Sequence, residues 1–213
     1  CYLCKSKDEV NKEKFKKGSI VTDVCGIKEY VVSSVKDAVT DCGAIFIGAH
    51  PMAGREFSGY AYSLSDLYQN ASFIITPEDA PEDAVSTLEK LALSLGFGKV
   101  VKTTPREHDE IIAYTSQLAH IVSSAYIKSP TLQKEVGFSA GSFKDLTRVA
   151  KLNEDMWTSL FIKNKEPLIF EIKEIIERLS EYLTSLENED SDTMKELLKN
   201  GRILKEKSIE KNK

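Results

Sequence analysis

The chain has only three histidines, His50, His108 and His120, and imidazole is the side chain that most readily takes or gives a proton near neutral pH. His50 heads the run His50-Pro51-Met52-Ala53-Gly54-Arg55-Glu56-Phe57-Ser58-Gly59 and follows the apolar run 44–48. A residue just past the carboxyl end of a parallel strand lies where such sheets bind ligands. The small residues around Gly54 and Gly59 suit close approach of backbone to a ligand. The other reading is a loop histidine before a proline turn. His108 and His120 fall on one helical stretch, in Arg106-Glu107-His108-Asp109-Glu110 and Thr115-Ser116-Gln117-Leu118-Ala119-His120. Ser116 and His120 share a face that Asp109 and Ala113 continue, whereas His108 aligns with Ile112 and Ser116. Such a strip is either a solvated face or the wall of a site. The apolar neighbours Ile111, Ile112, Leu118, Ile121 and Val122 fit a helix buried on most sides. Arg148 could hold a carboxylate bidentately, or pair with Asp145 three residues before it as a low-value surface ion pair.

The cysteines Cys1, Cys4, Cys25 and Cys42 include one C-x-x-C, but 16 residues separate Cys25 from Cys42, so no zinc set is expected. Free, reduced thiols are the expectation. No metal is expected. The first residue is Cys1 rather than Met, which fits a chain cut from a longer one; a lipoprotein start would usually continue into a polar tether.

These residues need elements to position them. Residues 8–16 suit a short surface helix before Lys17-Gly18, and 19–24 form a β-branched strand. Helical spacing runs from Ile27 to Ala38, and 44–48 and 72–77 are further strands. Pro81-Glu82-Asp83 opens a helix to about Leu95, and 99–103 is a last short strand. The strand, helix, strand rhythm predicts a parallel α/β sheet. From Pro105 onward the pattern is helical: 105–128, 142–150, 153–163, a helix with Pro167 in its first turn, and a charged helix over 191–213. Three or four strands make only the later half of a doubly wound domain, and no G-x-G-x-x-G precedes them. A boundary near 104 is expected, with 1–104 as the later part of a nucleotide-binding domain and 105–213 as a helical domain.

With 213 residues, the chain can bury a sizeable core. Its 29 Lys and Arg against 33 Asp and Glu give a net charge of −4, which offers no general attraction to nucleic acid or anionic lipid. No apolar run approaches the roughly 18 residues that suggest a membrane span. A cytoplasmic protein without a nucleic-acid or membrane partner is expected.

Four segments, in order, resemble the prephenate dehydrogenase family. Its D-V-x-S-V-K segment compares with Asp23-Val24-Cys25-Gly26-Ile27-Lys28, and H-P-M-A-G-x-E-x-S-G with 50–59. An H-D pair with T-S-x-L-P-H compares with His108-Asp109 and 115–120, and D-x-T-R-I-A with 145–150, followed by Trp157. The resemblance covers about residues 17–160. It implies an α/β plus all-α fold: the later half of a Rossmann-type NAD(P)-binding domain, then a helical dimerisation domain of the 6-phosphogluconate dehydrogenase C-terminal type.

The implied activity is oxidative decarboxylation of prephenate to 4-hydroxyphenylpyruvate with NAD or NADP, on the route to tyrosine, by a homodimer. By the same resemblance His50 is the catalytic group and Ser116, His120 and Arg148 bind substrate. Glu56, Asp109 and Asp145 support or gate the site, and Gly26, Lys28 and Pro51 lie by the cofactor. Gly26 stands where many members have a Ser bonded to the catalytic histidine, so another group is expected to orient His50. Gln117 and Ala119 depart from the His and Pro common around His120. An arogenate or cyclohexadienyl dehydrogenase is the near alternative. A dimerising remnant without its cofactor loop is the non-enzymatic one.

Overall fold

The computed structural model describes residues 15–54 and 59–211. The expected helix at 8–16 therefore lies outside the described residues except for its last two positions. Four strands form one sheet in the order β1-β2-β3-β4: β1 Ile20–Thr22, β2 Ile45–Pro51, β3 Ser72–Thr76 and β4 Lys99–Lys102. Helix α1, Glu29–Thr40, joins β1 to β2, and α2, Glu82–Ser94, joins β3 to β4. Both of these pairs are parallel, as the expected rhythm requires.

The middle of the sheet differs from the expectation. β2 and β3 run antiparallel, with Ala49 opposite Ile75 and His50 opposite Ile74. A parallel return needs a crossover, usually a helix. Among the described residues, 52–71 hold only a short 3-10 turn, Tyr60–Tyr62.

Alternation along β2 sorts its residues between two cores. Ile47 and Ala49 face one side and pack with Phe73, Ile75 and the α2 residues Ala84, Val85, Leu88 and Ala92. Phe46 packs on the other side with Val31, Val32, Val35 and Val39 of α1. Burying each such large side chain contributes about 1.5–3 kcal/mol. Gly48 and His50 share the parity of Phe46 and so belong to the α1 side. Gly48 is needed there: an added Cβ would lie 2.4 Å from Thr76 Oγ1 and 3.4 Å from Val32.

The helical part begins with α3, Pro105–Ile112, continues through a π-helical segment, Ala113–Leu118, and ends in α4, Ala119–Tyr126. Thr104 starts it, its hydroxyl accepting the Glu107 N–H at 3.2 Å ahead of Pro105 in the first turn. Then come a 3-10 turn, Pro130–Lys134; α5, Gly141–Thr147; and a second 3-10 turn, Arg148–Ala150. The chain closes with α6 Glu154–Lys163, α7 Lys165–Glu187 and α8 Ser191–Lys211. The chain forms two compact units, 1–168 and 169–213. The expected boundary near 104 falls at the junction of β4 and α3, inside the first unit. In the second unit, the Ser185 hydroxyl donates to the Asp190 carbonyl across the turn between α7 and α8. Among the described residues no helix is long and apolar enough to cross a membrane.

The expectation of free thiols fails at Cys25, which is disulfide-bonded. Cys42 is free and rests its thiol on the Ala38 carbonyl. Cys1 and Cys4 lie outside the described residues.

Candidate functional site

His50 was expected just beyond its strand; it lies within β2, on the α1 side of the sheet. The apolar run 44–48 understates the strand because residues beyond Ile47 pair with β3 alone. Pro51, which cannot donate a hydrogen bond, is tolerated at such an edge.

The loop from β1 into α1 fixes the floor of the site. Asp23 accepts the N–H groups of Cys25 at 2.8 Å and Ala49 at 3.0 Å. It also pairs with the Lys28 ammonium, which donates to the Ala49 carbonyl as well. Lys28 is fully buried. Burial lowers its pKa, while Asp23 and Asp109 oppose that shift. The ammonium thus ties the ends of β1 and β2 together.

Helix α1 has no cap from its own neighbourhood. Asp109 of α3 supplies one: its carboxylate accepts the Lys28 N–H at 2.7 Å and the Glu29 N–H at 2.9 Å. A negative charge at a helix N-terminus is favourable. The same carboxylate lies 2.7 Å from Nδ1 of His108, and both residues are buried. Nε2 of His108 in turn lies 2.9 Å from Nδ1 of His50.

This sequence of contacts assigns the tautomers. A carboxylate that accepts two backbone N–H groups is ionised and can only accept from His108, so Nδ1 of His108 carries the proton. A neutral His108 then presents a lone pair at Nε2, and Nδ1 of His50 donates to it. His50 Nε2 is left as a bare acceptor, with no hydrogen bond among the described residues. The His50 pKa is pushed down to about 3; burial is the main cause, His108 and Lys28 add to it, and Asp109 opposes. The imidazole is neutral across the physiological range.

Gly26 lies beside that nitrogen: a Cβ there would sit 3.8 Å from His50 Nε2 and 4.0 Å from Leu160 of α6. The group expected to replace a serine in orienting His50 is therefore His108. His108 was recognised as a helix residue but not as part of the site.

The remaining expected residues gather elsewhere. His120 Nδ1 donates to the Ser116 carbonyl at 2.8 Å, and its ring lies over Trp157 of α6 with centroids 3.9 Å apart. Arg148 is exposed at the start of a 3-10 turn that packs against α4, and Asp145 is exposed on α5. Among the described residues, no hydrogen bond or ring contact joins the His120 pair to the His50 chain. Pro51 ends β2 half-buried, and Glu56 lies outside the described residues. Two buried amides missed by the pattern, Gln117 and Asn164, brace the long helix. Asn164 Nδ2 donates to the Asp109 carbonyl and to Gln117 Oε1, both at 2.9 Å.

Residues 7–102 match the sequence model described as prephenate dehydrogenase, nucleotide-binding domain, and residues 104–200 the one described as prephenate dehydrogenase, dimerization domain. The chain belongs to the prephenate dehydrogenase family. It is 30% identical over 181 residues to prephenate dehydrogenase of Bacillus subtilis (strain 168), covering 82% of this chain and 48% of the relative. Among solved structures it resembles prephenate dehydrogenase from A. aeolicus in complex with hydroxyphenyl propionate and NAD+. That likeness has a TM-score of 0.75 and 30% identity, over 88% of this chain and 66% of the other. Synechocystis arogenate dehydrogenase follows at TM-score 0.73 and 25% identity, over 89% and 69%. The chain spans about half the length of the curated prephenate dehydrogenases it matches. Within the family frame, the fold is a Rossmann-like nucleotide-binding part followed by a helical dimerisation part.

Proposed function

We propose that this chain carries the substrate-oxidising site of an NAD(P)-dependent dehydrogenase acting on prephenate or arogenate, with His50 as the base. The observation that carries this is the bare Nε2 of His50, neutral and held by His108, at the carboxyl end of β2. A nicotinamide would fit the open edge where Gly26 adds no side chain beside that nitrogen, with Gly26 and Pro51 flanking it. When bound, the nicotinamide supplies the hydride acceptor.

His50 accepts a hydrogen bond from the substrate's ring hydroxyl and takes its proton as the hydride leaves the same carbon. Loss of carbon dioxide then yields the aromatic ring. Proton transfer of this kind contributes about 10²–10⁴ in rate. Arg148 anchors a substrate carboxylate, and His120, Ser116 and the Trp157 face position the substrate. Asp145 and Glu56 act around that site.

The similarity to both a prephenate and an arogenate dehydrogenase supports keeping both substrates. They differ in a pyruvyl carbonyl against an amine. The division of labour proposed is nucleotide binding in 1–104 and substrate binding and dimerisation in 105–213. Exposed Ile176, Leu179, Leu183 and Leu198 on the last two helices support a homodimer.

The test is a His50→Asn variant of the complete protein, assayed for NAD+ and NADP+ reduction with prephenate and arogenate side by side. The expected result is a kcat lower by about 10²–10⁴ with KM little changed. Unchanged turnover would remove His50 from the role.

A further inference from the structure

We propose that His50 and His108 work as one two-site base, in which the proton taken from the substrate hydroxyl comes to rest on His108, opposite Asp109. The proposal rests on the reading of His50 given above and extends it to where the proton goes.

The geometry suits transfer rather than mere contact. The two ring nitrogens are 2.9 Å apart while the ring centroids are 5.1 Å apart. Both nitrogens therefore lie close to the line joining the ring centres, the in-plane direction of an imidazole lone pair. The rings are inclined at 64°, which such a hydrogen bond accommodates. Beyond His108 stands the Asp109 carboxylate at 2.7 Å, itself fixed by two backbone N–H groups.

The charges facing the pair favour the inner position for a new positive charge. His50 meets the Lys28 cation from the α1 side, and the Lys28 charge is met in turn by Asp23. His108 touches a carboxylate directly. Burial penalises a charge on either ring, so the difference lies in the charges: a proton left on both nitrogens of His50 would face the Lys28 charge with no carboxylate in contact among the described residues. Moved onward, the same charge is paired at hydrogen-bond distance.

The substrate O–H bond breaks and Nε2–H forms on His50, while Nδ1–H of His50 breaks and Nε2–H forms on His108. The electron pair of the O–H bond becomes part of the new carbonyl as the hydride leaves its carbon for the nicotinamide. His50 ends neutral in the opposite tautomer, and His108 ends as an imidazolium facing the Asp109 carboxylate. The return runs backward, through His50 Nε2 to solvent. His108 acts through His50 and is a positioning and relay residue.

Three histidines make the test tractable by ¹⁵N NMR of the labelled chain. At neutral pH, His50 and His108 should both be protonated at Nδ1 only. On acidification, the first proton taken up by the pair should leave His108 doubly protonated and His50 switched to the Nε2–H tautomer. A His50 that becomes doubly protonated beside a neutral His108 would overturn the relay. In a His108→Gln variant, the amide oxygen can still accept from His50 but takes no proton. Its kcat should fall about 10–100-fold with KM within about twofold, and an unchanged kcat would also overturn the proposal. The NMR result needs no substrate, so failure of the relay is distinguishable from failure of the dehydrogenase reading, which His50→Asn tests.

Discussion

Asp109→Ala should destabilise the fold by more than any substitution at an exposed carboxylate, for reasons that can be counted. The carboxylate serves three donors: the N–H groups of Lys28 and Glu29, and Nδ1 of His108. Lys28 and His108 are buried, so truncation strands two donors away from water, each at about 1–3 kcal/mol. Glu29 is exposed and water can replace its partner. Loss of the negative charge at the start of α1 adds about 0.3–1 kcal/mol. The total is about 2–7 kcal/mol, a range centred on the scale of breaking a buried ionic network.

Asp109→Asn separates these contributions. Its one oxygen can keep Lys28 and His108, leaving the amide against the part-buried Glu29 N–H, for a cost of about 1 kcal/mol. Urea unfolding followed by the single tryptophan, Trp157, and by circular dichroism measures both. With a slope of about 1–3 kcal/mol per molar for a small protein, the alanine variant should lose more than about 1 M in midpoint. A loss below about 1 kcal/mol for alanine, or equal losses for the two variants, would refute the role assigned to the carboxylate.

Stability should also depend on pH through His50. Its pKa is about 3 in the fold against an ordinary 6.5, so between those values the unfolded chain binds more protons. The contribution is therefore full above pH 6.5 and is lost as pH falls towards 3. Its slope is at most about 1.4 kcal/mol per pH unit. His50→Gln should flatten that part of the profile, and Lys28→Met should raise the His50 pKa in an NMR titration; equal slopes for wild type and His50→Gln would refute the assignment. At the strand itself, Gly48→Ala places a Cβ 2.4 Å from the Thr76 hydroxyl, which is buried. The overpacking should cost about 1–3 kcal/mol, seen as a lower melting temperature that a second change, Thr76→Ala, partly restores.

The sequence singled out His50 and hid its partner, and the reason is the range over which each is determined. His50 stands in ten residues of local pattern, and a local pattern is what spacing arguments detect. The direction of β3 was not legible, because the apolar run 72–77 looks the same in either direction, and only the pairing with β2 shows the reversal; among the described residues, 52–71 hold no crossover helix. His108 was misplaced by assuming one helical period from Pro105 onward. The π-helical segment Ala113–Leu118 breaks that period, so the buried face of His108, Asp109, Ile112 and Ala113 continues at Gln117 and Leu118. His120, which an unbroken helix would align with Asp109, turns to Trp157 instead, and its Nδ1 donates to the Ser116 carbonyl. The contact that matters most joins residues 58 positions apart, and the one behind it joins residues 81 apart. That second contact gives the arrangement its logic. A single carboxylate caps α1 and fixes the tautomer of His108, and His108 fixes that of His50. Forming the first turn of α1 and orienting His50 are therefore coupled: a substitution that loosens the N-terminus of α1 must also weaken the orientation of the His50 ring.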